Sequence, residues 1–107
     1  GAAWKQWTGL PFVFAVWAAR RRARGEEVRA VHRGLLDARA WGLAHLDLLA
    51  EAAAGATGVP VAECRTYFAG LDYAFSATHL AGLTDFFGRL AAQGMVPEGS
   101  LRFLQVA

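Results

Sequence analysis

Three histidines, one cysteine and a scatter of carboxylates are the groups from which catalysis or metal binding would be built in this chain, and their spacing argues against most of it. His32, His45 and His79 stand 13 and 34 residues apart, without the i, i+4 step that puts two imidazoles on one helical face. Cys64 has no CxxC companion, so no metal site is expected. His45 and Asp47 lie two apart on a predicted helix and diverge, which does not encode a base with its orienting carboxylate. Asp47 and Glu51 are one turn apart; they would share acid–base work only inside a buried cleft, and on a solvent-facing helix they merely repel. Ser76 and Ser100 lack local triad partners, and GxSxG, P-loop and GxGxxG patterns are absent.

What remains is the corner Thr8, Gly9, Leu10, Pro11 and Phe12. Here backbone N–H groups and one hydroxyl at the lip of a strand would meet an anionic ligand. The competing reading is a plain helix stop. Trp4 and Trp7, three apart on the preceding helix, either line a pocket or belong to the core. Local motifs assign no catalytic residue.

The elements that would position this corner follow from the pattern of apolar residues. Ala2 to Thr8 reads as a helix ended by Gly9, with Pro11 preventing its continuation. Gly9 to Ala19 is uncharged and runs into Arg20, Arg21, Arg22 and Arg24. At 11 residues it is too short for a membrane-spanning helix, which needs about 20. Its β-branched and aromatic content predicts a strand over Phe12 to Arg20, apolar on both faces and therefore interior.

Gly25, Glu26 and Glu27 open a long helix, with Val28, Val31, Leu35, Ala38, Leu46 and Leu49 on one face and Gly34 and Gly42 as places for a break or a close crossing. Gly55, Gly58 and Pro60 form a turn, with Pro60 at the first position of a short helix carrying Val61, Cys64, Tyr67 and Phe68. Leu71 to Phe75 is extended. Ser76 or Thr78 caps a last helix in which Leu80, Leu83, Phe87 and Leu90 repeat at spacings of three and four and Asp85 pairs with Arg89. Gly94 ends that helix, and Leu101 to Val106 has the composition of a short terminal strand.

With 107 residues, 55% of them hydrophobic, and a net charge of +2, the chain is at most one globular domain rather than a disordered segment. The arginine run has no interleaved aromatic residues and reads as a solvated turn; neither nucleic acid nor membrane is expected as a partner. One cysteine excludes an internal disulfide. Together with the absence of a secretion pattern at the N-terminus, it leads to the expectation of a cytoplasmic protein.

The run AAWKQWTGLPFVFAVWAAR, Ala2 to Arg20, resembles the return segment of the chorismate dehydratases of the futalosine route to menaquinone. YFAGLDYAFSATHLAGLTDFFGRLAAQGMV, Tyr67 to Val96, is similar to their C-terminal end. The resemblance implies an α/β fold: the C-terminal part of a periplasmic-binding-protein type II-like two-lobed domain, here mostly helical with one buried strand and short extended pieces. Residues 1–10 would close the second lobe and hinge, and 11–107 would return to the first lobe.

The resemblance also implies a fragment whose catalytic acid, base and carboxylate ligands lie upstream of Gly1. Such a fragment would be inactive without the missing N-terminal portion. The implied activity is that of a carbon–oxygen lyase that removes water from chorismate to give 3-[(1-carboxyvinyl)oxy]benzoate, with no cofactor or metal. From the reading of the corner itself, Thr8, Gly9, Pro11 and Phe12 are the expected substrate-binding residues. The alternatives are a dihydroxynaphthoate synthase of the same pathway, or a periplasmic-type protein that binds an anion without chemistry.

Overall fold

The computed structural model describes residues 1–99, and among these every regular element is an α-helix: α1 (Ala2–Thr8), α2 (Gly25–Ala44), α3 (Leu46–Thr57), α4 (Val61–Gly70) and α5 (Ala77–Ala92). Among the described residues they divide between two compact units, one built from residues 1–20 and 74–99, the other from residues 21–73. No helix among the described residues is long and apolar enough to cross a membrane. Ser100 and the strand expected over Leu101 to Val106 lie outside the described residues.

The expected α/β architecture is overturned. No strand or sheet occurs among the described residues, and the segment from Phe12 to Arg20 carries no regular secondary structure, so neither the buried strand nor the two-lobed binding-protein fold is present. The reason is pairing. A strand needs a neighbour to take its N–H and C=O groups, and no second described segment offers a ladder to residues 12–20. Apolar composition on both faces therefore does not translate into burial: Phe14 is 77% exposed, Val16 52% and Trp17 83%.

Helix ends are set by local chemistry, twice by the same device. α1 stops at Thr8-Gly9-Leu10-Pro11 and α3 at Thr57-Gly58-Val59-Pro60. In the first, the Thr8 hydroxyl donates to the Trp4 carbonyl at 2.8 Å and accepts the Leu10 N–H at 3.1 Å. In the second, Thr57 donates to the Ala53 carbonyl at 2.7 Å and accepts the Val59 N–H at 3.2 Å. Gly9 and Gly58 take the left-handed conformation, with φ of 74° and 77°, which glycine alone adopts without Cβ strain. Proline two residues on has no N–H to continue the helix.

The long helix expected from Gly25 is two helices. His45 breaks the run with φ −130° and ψ 40°; its ring stacks on Trp41 at 4.1 Å, and its Nδ1 lies 2.6 Å from the Trp41 carbonyl. Gly42 gives the room, since a Cβ there would stand 3.3 Å from Leu49 Cδ1. Gly55 lies inside α3 rather than in the following turn, and Pro60 precedes α4 instead of opening it.

In this unit the buried residues are Ala50 on α3 and Cys64 on α4, the two helices that pack most extensively on each other. Small side chains let helix backbones approach closely. α2 has no buried residue; Arg39 on it donates to the Tyr73 carbonyl at 3.2 Å.

α5 begins at Ser76, whose hydroxyl and backbone close a reciprocal capping box with His79. Arg89 Nε donates to Asp85 at 3.1 Å, the expected pair. Of the expected face, Leu83 is buried, together with Gly82, and Leu80 and Leu90 are half-buried; Phe86 rather than Phe87 meets the aromatic rings of α1 and residue 12.

Thr8→Val and Thr57→Val each remove two hydrogen bonds at a helix stop and are expected to lower unfolding stability by about 1 kcal/mol. Gly88 sits inside α5 with no described residue within 4 Å of an added Cβ, so Gly88→Ala should raise stability by about 0.5–1 kcal/mol. Urea unfolding followed by circular dichroism measures all three.

Candidate functional site

The corner from Thr8 to Phe12 is held from below by α5. A Cβ on Gly82 would fall 2.2 Å from the Pro11 carbonyl oxygen and 3.7 Å from Leu10 Cβ, so the helix backbone and the corner backbone touch with no side chain between them. One turn further along α5, Phe86 completes a triangle with Trp4 and Phe12. Ring centroids are 5.8 Å apart for Trp4–Phe86, 5.9 Å for Trp4–Phe12 and 5.1 Å for Phe12–Phe86, each pair edge to face. That geometry lets a positive ring edge meet a negative face. Phe14 joins at 5.0 Å from Phe12.

Two cations attend the same unit. Lys5 Nζ donates to the Gly9 carbonyl at 2.8 Å, which places positive charge at the negative end of α1. The Arg89 guanidinium lies 4.2 Å from the Trp7 ring centroid and 5.8 Å from that of Trp4, within cation–π range. Trp7 is 67% exposed and stands edge-on to Trp4 at 5.7 Å. The Trp4 indole N–H is buried without a hydrogen-bond partner among the described residues, a kind of polar group that costs stability.

The structure thus brings together all four residues expected at the corner, Thr8, Gly9, Pro11 and Phe12, and shows what each is doing. The Thr8 hydroxyl hydrogen is committed to Trp4, Gly9 turns the chain, Pro11 presents its carbonyl to Gly82, and Phe12 packs on Trp4 and Phe86. The matching stop at Thr57 has the same hydroxyl bonds. What sets the first corner apart is its surroundings: aromatic rings, Lys5 and Arg89. Sequence reasoning missed Gly82, Phe86, Arg89 and Lys5 as its supports. The available signal was a glycine inside a helix four residues before an aromatic side chain, the spacing that puts both on one face.

The remaining polar candidates do not form a second site. Asp47 is paired with Arg65, whose Nε donates to it at 2.5 Å. The two side chains are 80% and 51% exposed, so solvent screens the pair, and Glu51 stands on the same open face of α3. His45 is occupied with Trp41, His79 with the α5 cap, and Cys64 is buried. Among the described residues, no three His, Cys, Asp or Glu side chains gather in a group able to hold a metal ion.

No solved structure matches this chain. A protein-family model described as menaquinone biosynthesis matches residues 1–92, a span that includes the corner, all five helices and the aromatic cluster. That match covers well over half of the 107 residues, and the chain belongs to the menaquinone-biosynthesis family.

Proposed function

We propose that this chain is part of a chorismate dehydratase, the lyase that forms 3-[(1-carboxyvinyl)oxy]benzoate on the way to menaquinone. The observation that carries the reading is the family match over residues 1–92. Within that span, the tryptophan-rich run from Trp7 to Trp17 favours the dehydratase over a dihydroxynaphthoate synthase of the same pathway.

The reaction breaks a C–H bond at the ring carbon bearing the ether and the C–O bond at its hydroxyl-bearing neighbour. The C–H electron pair becomes the third ring double bond, the proton passes to a base, and hydroxide leaves as water after protonation. No electrons are exchanged, so the balance needs neither oxidant nor reductant. The substrate carries two carboxylates, and binding it calls for donors and positive charge beside an apolar wall. In this reading the corner from Thr8 to Phe12 borders the substrate, with Lys5 and Arg89 supplying charge to that end of the unit and the aromatic cluster supplying rigidity.

The reading includes further polypeptide around these residues. Among the described residues, the large apolar side chains of Trp7, Phe14, Trp17 and Tyr67 are exposed. The buried hydrophobic residues among those described are Ala50, Cys64 and Leu83. Apolar surface left uncovered in this way fits a piece whose catalytic acid and base come from elsewhere in the active protein.

Incubation with chorismate, followed by ultraviolet absorbance and mass spectrometry of the aromatic product, tests the proposal. The 107 residues alone are expected to give no turnover, and the longer protein that contains them to give the benzoate ether. Turnover of the later cyclised intermediate instead would assign the sister enzyme, and tight binding of an anion without any product would assign a receptor.

In the active protein, Thr8→Val is expected to lower kcat/KM about tenfold, a loss of about 1.4 kcal/mol. Thr57→Val, which removes the same two bonds at the other stop, is expected to leave it unchanged. Equal effects from the two variants would return the Thr8 corner to a purely structural role.

A further inference from the structure

We propose that Gly82 is a positioning residue for substrate binding, acting through the Pro11 carbonyl; the proposal rests on the reading that the Thr8 to Phe12 corner borders the substrate. Three observations lead to it.

First, Gly82 is buried, and a Cβ there would stand 2.2 Å from the Pro11 carbonyl oxygen, a separation no carbon and oxygen sustain. The obstruction is backbone rather than the tip of a flexible side chain, so relief requires moving either α5 or the corner. Second, the neighbouring backbone has little freedom to absorb that shift without changing the corner. Thr8 ties Leu10 to Trp4 through two hydrogen bonds, Lys5 holds the Gly9 carbonyl, and Pro11 has a fixed φ. Third, Phe86, four residues on along the same face of α5, holds Trp4 and Phe12 edge to face. Gly82 therefore sets the height of the corner above α5 and Phe86 sets its tilt. Displacements of about 1 Å at a binding wall are enough to cost large factors in rate or affinity.

The other glycines of α5 and its end separate this role from helix chemistry in general. Among the described residues, nothing lies within 4 Å of a Cβ added at Gly88 or at Gly94, the latter having a positive φ of 70°. Only at Gly82 among these three does the absent Cβ meet another part of the chain.

The test compares Gly82→Ala, Phe86→Leu, Gly88→Ala and Thr8→Val in the active protein, with kcat and KM for chorismate measured separately. Gly82→Ala is expected to raise KM about tenfold with kcat changed less than threefold, Phe86→Leu to shift KM in the same direction, and Gly88→Ala to change neither. If Gly82→Ala does not fold, Phe86→Leu is judged by the same criterion, because it removes ring contacts without adding atoms. Unchanged KM in Gly82→Ala, or in Phe86→Leu where that variant stands in for it, overturns the inference, while a raised KM in Thr8→Val alone keeps the corner at the substrate. Unchanged KM in all of the variants overturns both.

Discussion

Contact between the Pro11 carbonyl and the bare backbone of Gly82 is the constraint around which the first unit is arranged. Pro11, in the bend after α1, and Gly82, on α5, are far apart in sequence, and their backbones meet where Gly82 carries no Cβ. Once that approach is made, the rest follows at the distances it dictates: Phe86 falls between Trp4 and Phe12, and Arg89, a further turn along, comes over Trp7. The aromatic cluster is thus a consequence of a missing side chain as much as of the rings themselves. A Cβ at position 82 would clash with the Pro11 carbonyl and force one of the two backbones to shift.

The second unit solves the packing problem differently. Its principal contact, α3 on α4, uses Ala50 and Cys64 as the buried residues, so close approach comes from small side chains along a helix pair rather than from one glycine. Its polar groups are spent on organisation: Arg65 on Asp47, Arg39 on the Tyr73 carbonyl and His45 on the break between α2 and α3. Chemistry is therefore sought in the first unit, where cationic and aromatic groups surround a bend in the chain.

Most helix boundaries were legible in the sequence because they are encoded within a few residues. Gly9, Glu26 with Glu27, Gly58 and Ser76 all mark ends that the structure confirms. The ion pair of Asp85 with Arg89 was legible for the same reason, being local to one helix face. The segment from Phe12 to Arg20 was misread because composition reports what a side chain prefers, whereas a strand is made by a partner, and pairing is a nonlocal fact that no stretch of sequence contains. The support under the candidate corner was illegible on similar grounds. Gly82 looked like an ordinary helix glycine, and its importance lies in Pro11, more than seventy residues earlier. A shift of one position, Phe86 for Phe87, was enough to misplace the ring that completes the cluster.

The repeated stop at Thr8 to Pro11 and Thr57 to Pro60 bears on how the chain folds. Each closes its hydrogen bonds within seven residues, from Trp4 to Leu10 and from Ala53 to Val59, so each is open to the chain before any helix finds its neighbour. Closing so short a loop costs little chain entropy and takes well under a microsecond. Both helix ends are thus specified by bonds local in sequence, without calling on tertiary contacts.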